Sequence, residues 1–140
     1  MKFAYEIFPE KRLILESFEG DVAADELFSA FQKVWKDSNY RRSFSGISDL
    51  TQADFKISLA DFRELEDKMY SHPLKCQGRW VWVSETPNTT AYGFLHETTA
   101  RLKYPFSIFS EWKAAFDWIQ VPYDPVLVEK VRSRRRAAAY

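Results

Sequence analysis

The chain predicts an α/β fold: an N-terminal β-hairpin followed by four β-α units on a mixed, mainly parallel sheet. Three observations carry this. Apolar and polar residues alternate with period two at the N-terminus, as Phe3, Tyr5 and Ile7 against Ala4 and Glu6. Beyond the opening strand pair, a strand-like run is followed by a helix-like run four times. The run Trp80–Val83 (WVWV) is apolar on both alternating sets, as a strand covered on both faces must be. That last property marks it as the expected central strand.

Pro9-Glu10-Lys11-Arg12 reads as the hairpin turn, and Leu13–Phe18 (LILESF) as the second strand. Asp21 or Asp25 is the expected cap of the first helix. Leu27, Phe28, Phe31, Val34 and Trp35 recur at three-and-four spacing and define its inner face. Asp37-Ser38-Asn39 should stop it, because short polar side chains compete for the backbone. Phe44–Leu50 reads as a third, weaker strand.

Ser58-Leu59-Ala60-Asp61 has capping-box spacing, with Asp in place of Glu. Leu59, Phe62, Leu65 or Glu66, and Met69 continue this second helix to His72-Pro73. Pro87-Asn88-Thr89 opens a third helix, with Ala91, Phe94, Leu95, Thr98 and Leu102 as its expected inner face. Phe106–Phe109 reads as the last strand. Ser110 is the expected cap of the last core helix, whose inner face is Trp112, Ala115, Phe116 and Ile119. Asp124-Pro125 signals a further helix start, cap then first position, leading into Val126–Ala139. Residues 1–121 are therefore expected to form the α/β domain, and residues 122–140 a C-terminal extension with a short basic helix.

With 140 residues the chain is long enough to bury a core without staples. Hydrophobic residues make up 46%, and only 4 Gly and 6 Pro are present, which excludes disorder and low complexity for the whole chain. Net charge is zero but uneven. Residues 129–140 hold Lys130, Arg132, Arg134, Arg135 and Arg136, leaving 15 basic against 19 acidic residues elsewhere. A mildly acidic body argues against nucleic-acid binding. The basic segment is expected either to touch an anionic surface or, more simply, to be a frayed and solvated end.

Cys76 is the only cysteine, so no intrachain disulfide forms and a reducing compartment fits. No segment approaches 18 uninterrupted apolar residues, and the N-terminus lacks a signal-peptide pattern. The expected location is the cytoplasm. His72 and His96 are the only histidines, and His72 with Cys76 supplies two metal ligands at most, so neither a metal nor a cofactor is expected. A Cys–His nucleophile pair is formally available but lacks an orienting motif.

Several features of this pattern, taken together, resemble the STAS and SEC14-like superfamily, and more narrowly the small bacterial SpoIIAA-like proteins. Phe18-Glu19-Gly20 closes the second strand and Ser48–Phe55 (SDLTQADF) ends the third. Ala91-Tyr92-Gly93 lies in the third helix, and Ile108-Phe109-Ser110 precedes Ala115, Trp118 and Ile119. The resemblance covers roughly residues 3–120. It implies a fold and a non-enzymatic role as a regulator or interaction module. In anti-sigma-factor antagonists a Ser at the start of the second helix is phosphorylated within a motif near Asp-Ser-Ser-Gly. Ser58 occupies about that place here, and its neighbours Lys56-Ile57-Ser58-Leu59-Ala60-Asp61 depart from the motif. SEC14-like relatives hold lipids in longer chains with extra helices.

Candidate site residues follow. Ser58 is the possible phospho-switch position, and otherwise a plain helix cap. Asp49 and Asp54 flank the end of the third strand, where α/β folds bind ligands, or serve as turn residues. Thr89, Tyr92 and His96 lie on the third helix and are the other candidates to line a ligand cleft. An enzyme built on Asp49, Asp54 or His96 requires these side chains to meet. The 24 aromatic residues exceed what the core needs, so some of Trp35, Tyr40, Tyr70 and Trp112 are expected in an exposed patch. Such a patch suits homodimerisation or another protein partner. The alternative is a small apolar or amphipathic, lipid-like ligand in a cleft near the strand C-termini.

Overall fold

The computed structural model describes residues 1–138. Ala139 and Tyr140, the end of the expected basic extension, lie outside the described residues. Five strands form one sheet in the order β1-β2-β3-β4-β5. They are β1 (Lys2–Phe8), β2 (Leu13–Val22), β3 (Ser45–Phe55), β4 (Trp80–Val83) and β5 (Phe106–Phe109). β1 and β2 pair antiparallel, with Phe3 opposite Phe18 and Phe8 opposite Leu13. The turn between them is a short 3-10 segment at Pro9–Lys11 that ends on Arg12 in the left-handed region (φ 52). The remaining pairings are parallel. β2 is thus both the second hairpin strand and the first of four strand–helix units, and the predicted fold class holds.

Three crossovers connect parallel neighbours: α1 (Ala24–Trp35), α2 (Leu59–Ser71) and α3 (Pro87–Ala100). Because β2 to β5 are laid down in sequence order and such crossovers are right-handed, all three helices fall on one face. Phe18, Leu50, Phe55, Trp80, Trp82 and Phe106 pack there against Leu27, Val34, Phe62 and Met69. The other face is covered by α4 (Trp112–Ile119) and α5 (Pro125–Ala137). Its core is Leu13, Leu15, Ile47, Val81 and Val83 against Phe116, Ile119, Val128 and Val131. β4 feeds Trp80 and Trp82 to the first core and Val81 and Val83 to the second, so its two-sided apolarity has the cause expected. No helix among the described residues is long and apolar enough to cross a membrane.

Several local expectations change. β3, not β4, is the middle strand, and it is the longest. Its polar residues Ser48 and Asp49 disguised it, although both are buried with partners. It carries a bulge where Ser17 pairs Asp49 but Glu19 pairs Gln52, and pairing then continues to Phe55. The residue before α1 is Ala23, whose N–H donates to the Glu26 carboxylate (3.1 Å), so neither Asp21 nor Asp25 caps this helix. Glu111, not Ser110, precedes α4, with no side-chain cap bond. Asp124 does cap α5, accepting from the Val126 N–H at 3.0 Å.

The largest departure is α3. Its buried residues are Thr89, Gly93, His96 and Ala100, so the helix is turned by about half a revolution from the expected orientation. Ala91, Phe94, Leu95, Thr98 and Leu102 all face outward. Phe94 is 58% and Leu102, in the turn that follows, 88% exposed. The reason lies on the inner side. A Cβ on Gly93 would lie 2.1 Å from Ile108 Cδ1, so the helix sits directly against the Ile108 side chain of β5 and a larger residue there requires that side chain to move. His96 finds polar partners inside that would otherwise be left unsatisfied. The expected aromatic patch changes accordingly. Trp35 and Tyr40 are buried and Tyr70 and Trp112 half-buried; the exposed large apolar side chains include Phe94 and Leu95 on α3 and Leu102 just beyond it, with Leu59, Leu74, Tyr123 and Val126 elsewhere.

Candidate functional site

The face under α1 and α2 contains a cavity of ≈ 40 Å³. Leu27, Phe31 and Trp35 enter it from α1, Phe62 and Met69 from α2, and Trp82 from β4. The register explains why acids also reach it. Alternation along β2 sends Ile14, Glu16 and Phe18 to this side, while Leu13, Leu15 and Ser17 go to the other. Glu16 pairs with Ser48 of β3, and the Ser48 hydroxyl donates to Glu16 Oε2 at 2.8 Å. Trp80 Nε1 in turn donates to Ser48 Oγ at 2.9 Å. Burial dominates the Glu16 carboxyl and pushes it up to about 7, against a small lowering by the Ser48 bond. Glu16 is 2% exposed.

A second polar network borders the same cavity. Glu66 of α2 meets His96 of α3, Nδ1 to Oε2, at 2.8 Å. The carboxylate thereby sets Nδ1 as the protonated nitrogen, and Nε2 accepts from the Tyr104 hydroxyl at 2.6 Å. Thr99 donates to Glu66 Oε2 at 2.5 Å, and Arg63 donates to Oε1 at 2.8 Å. Burial alone would raise the Glu66 carboxyl, but the bonds from His96, Thr99 and Arg63 outweigh it and hold it below its ordinary value. The His96 ring is stacked on Trp82, with centroids 5.5 Å apart. Carboxylate, imidazole and hydroxyl stand in the order of a base-activated nucleophile. The phenol is nonetheless poorly suited to attack, because burial raises the Tyr104 hydroxyl well above its ordinary value. Cys76, on the same cavity, is pushed up to about 12 by burial.

The sequence candidates fall in three places. Ser58 is exposed and caps α2, its Oγ accepting from the Asp61 N–H at 3.1 Å. Asp54, Thr89 and Tyr92 gather at the C-terminal end of β3. Thr89 Oγ1 accepts from the Phe55 N–H (3.3 Å), and Asn88 donates to the Phe55 carbonyl (2.7 Å). Tyr92 donates to the Ile57 carbonyl and packs its ring on Phe62. These bonds fasten α3 to the C-terminal end of β3, and an open groove of ≈ 410 Å³ lies beside the C-terminal ends of β2 and β3, lined by Ala23, Asp25, Lys56, Asp61 and Lys68. Asp54 stands outside in an exposed pair with Lys56 at 2.9 Å, and its carboxyl is held low by the bonds from Lys56 and Asn88.

Asp49 lies on the other face of the sheet from Thr89 and Tyr92. It is buried and accepts from Ser17 Oγ (2.9 Å), Thr51 Oγ1 (2.7 Å) and Arg132 Nε (2.8 Å). Arg135, also buried, stands 3.6 Å away and donates to Ser17 Oγ at 2.8 Å. Burial alone would raise the Asp49 carboxyl; Arg132, Thr51 and Ser17 outweigh it and hold it below the ordinary value. The described part of the basic segment is therefore neither frayed nor free for a membrane at these two arginines. It is a helix latched to the sheet through Asp49.

Asp49, Asp54 and His96 are not brought together, so the enzyme reading built on them loses its geometry. Only His96 borders the cavity, and the cavity lies toward the strand N-termini: Trp80 begins β4 and Tyr104 precedes β5. Sequence reasoning missed Glu16, Glu66 and Tyr104. The available signals were Glu16, an acid at an inward strand position of LILESF, and Glu66, which shares the inner face of the second helix with Leu65. Among the described residues no three His, Cys, Asp or Glu side chains group to hold a metal.

No family model matches the chain, and no curated protein matches it. Solved structures do. An uncharacterized protein of the DUF3478 family with a SpoIIAA-like fold, from Shewanella loihica PV-4, is 12% identical. The match covers 84% of this chain and 94% of that one, with a TM-score of 0.55. The anti-sigma factor antagonist SpoIIAA in its unphosphorylated form is 14% identical over 84% of this chain and 97% of its own, with a TM-score of 0.43. The fold of this chain is SpoIIAA-like, and that assignment rests on the first likeness.

Proposed function

We propose that this chain is a non-enzymatic regulatory or protein-interaction module, acting in a reducing compartment, whose contact surface is the outward face of α3. The observation that carries the reading is the reversed helix. Phe94 and Leu95 on α3, with Leu102 just beyond, present apolar side chains to solvent while the buried side of the helix holds His96 and Thr89. An apolar face left outward over several turns is a cost in isolation and a gain on association. Two copies meeting through the same face would bury it isologously, as a homodimer. The protonated states of Cys76 and Tyr104 support the absence of nucleophilic chemistry. Ser58, exposed at the N-terminus of α2, is the position where a phosphate would be favoured by the helix dipole if the module is switched.

Sedimentation velocity over a concentration series tests the reading. The wild type should self-associate at micromolar concentration, and the paired substitutions Phe94→Glu and Leu102→Glu should abolish association without lowering stability. A strictly monomeric wild type would argue against a homodimer through this face.

A second reading is favoured by a specific observation. The cavity under α1 and α2 is lined by aromatic rings and by one acid with an unused oxygen, which suits a small, mostly apolar ligand.

A further inference from the structure

We propose that the cavity between α1, α2 and the sheet binds a small organic cation, a short alkylammonium, with the Glu16 carboxylate as its counter-ion. This rests on the ligand-pocket reading just given and adds the charge and chemical class of the occupant.

Four observations lead there. First, Glu16 is almost wholly buried, and the only hydrogen bond to its carboxyl among the described residues is the one from Ser48 to Oε2. Oε1 is left without a hydrogen-bond partner among the described residues, and Glu16 lines the cavity. Second, the lining contains no Lys or Arg. The other acid in it, Glu66, is already met by Arg63, His96 and Thr99. The cavity thus holds one uncompensated acid, and an anionic occupant, a fatty acid or a phosphate, would add a second buried negative charge with no counter-ion. Anionic lipids are disfavoured there for the same reason.

Third, indole and phenyl rings line the same cavity as the acid: Trp35, Trp80, Trp82, Phe31 and Phe62. Aromatic faces attract cations, indole most strongly, and the attraction grows where water is excluded. A carboxylate within an aromatic box matches an ammonium head carrying a short apolar body. A neutral alcohol could donate to Oε1 but gains nothing from the rings. Fourth, at ≈ 40 Å³ the cavity takes only a few heavy atoms as it stands. The titratable groups that share the cavity with Glu16 are Glu66 from α2, His96 from α3, Cys76 before β4 and Tyr104 before β5; α1 contributes none.

The test uses methylamine, ethylamine and propylamine against methanol, ethanol and propanol, titrated into the full chain and followed by heteronuclear NMR. The five tryptophans supply an internal control, since Trp112 and Trp118 lie on the opposite face. Amines should move the indole N–H signals of Trp35, Trp80 and Trp82 and leave those two unchanged. Each amine should bind at least about ten-fold tighter than its alcohol, and Glu16→Gln should remove that advantage. Amines and alcohols binding equally would overturn the counter-ion claim and leave the pocket reading standing. Binding that moves Trp112 or Trp118 alone would overturn the location. No binding by any of the six would overturn both. The wild-type comparison of amine with alcohol decides the claim even where the Gln variant fails to fold.

Discussion

Replacing Glu16 with Gln should make the protein more stable at neutral and alkaline pH, although it removes a buried, hydrogen-bonded side chain. The reason is the cost of ionising Glu16 where it stands. Burial raises its carboxyl from the ordinary 4.5 to about 7. At 1.36 kcal/mol per pH unit, that gap is worth roughly 3 kcal/mol. The folded state holds this proton more tightly than the unfolded state, so between pH 4.5 and about 7 it binds more protons, and stability falls as pH rises. Below pH 4.5 the group is neutral in both states and nothing is lost. Above about 7 it is ionised in both, and the full penalty is present. Gln is neutral throughout and keeps an acceptor for the Ser48 hydroxyl. The variant should therefore gain on the wild type by roughly 3 kcal/mol between about pH 4.5 and pH 8, or roughly 10 °C in Tm for a domain of this size. Guanidinium or thermal unfolding followed by tryptophan fluorescence across that range measures it, and the acid end of the series absorbs whatever Gln costs by itself. A difference between variant and wild type that does not change with pH would refute the reasoning.

Other substitutions test other contacts. Asp49→Asn leaves Arg132 and Arg135 without their buried counter-ion and should cost about 3 kcal/mol in urea unfolding at neutral pH. Because the Asp49 carboxyl is held below its ordinary 3.8, its contribution is present above that value and is lost as pH falls through the lower folded one; the gap between wild type and variant should narrow in acid. Gly46→Ala places a Cβ 2.4 Å from the Trp80 ring, which the bond to Ser48 holds in place, and should cost about 3 kcal/mol by the same assay. Ser58→Ala removes the α2 cap and should cost about 1 kcal/mol, visible as a small loss in Tm.

The architecture was legible because periodicity reports burial. β1 alternates, β4 is apolar on both sets, and α1 and α4 carry clean apolar stripes, so their element types and faces follow from local sequence. α3 was misread by the same rule. Its most apolar face, through Phe94 and Leu95, is the exposed one, and what decides its orientation is the close approach of Gly93 to Ile108 and the partners of His96. The spacing of Thr89, Gly93, His96 and Ala100 was available as a signal, but these residues are small or polar and carry no hydropathy. β3 was read short because Ser48, Asp49 and Thr51 look like a strand end; they are buried through partners far away in sequence. Arg132 reaches Asp49 across 83 positions, and no local pattern forecasts that pair. Glu16 looked like an ordinary polar position until parallel register set Ser48 beside it.

If the outward face of α3 is a contact surface, amide hydrogen exchange of the wild type at low and at high micromolar protein will register it. α3 and the adjoining β5 should gain protection as concentration rises, while α5 on the opposite face does not change. Exchange in α3 that is the same at every concentration, or protection that appears on α5 instead, would contradict it.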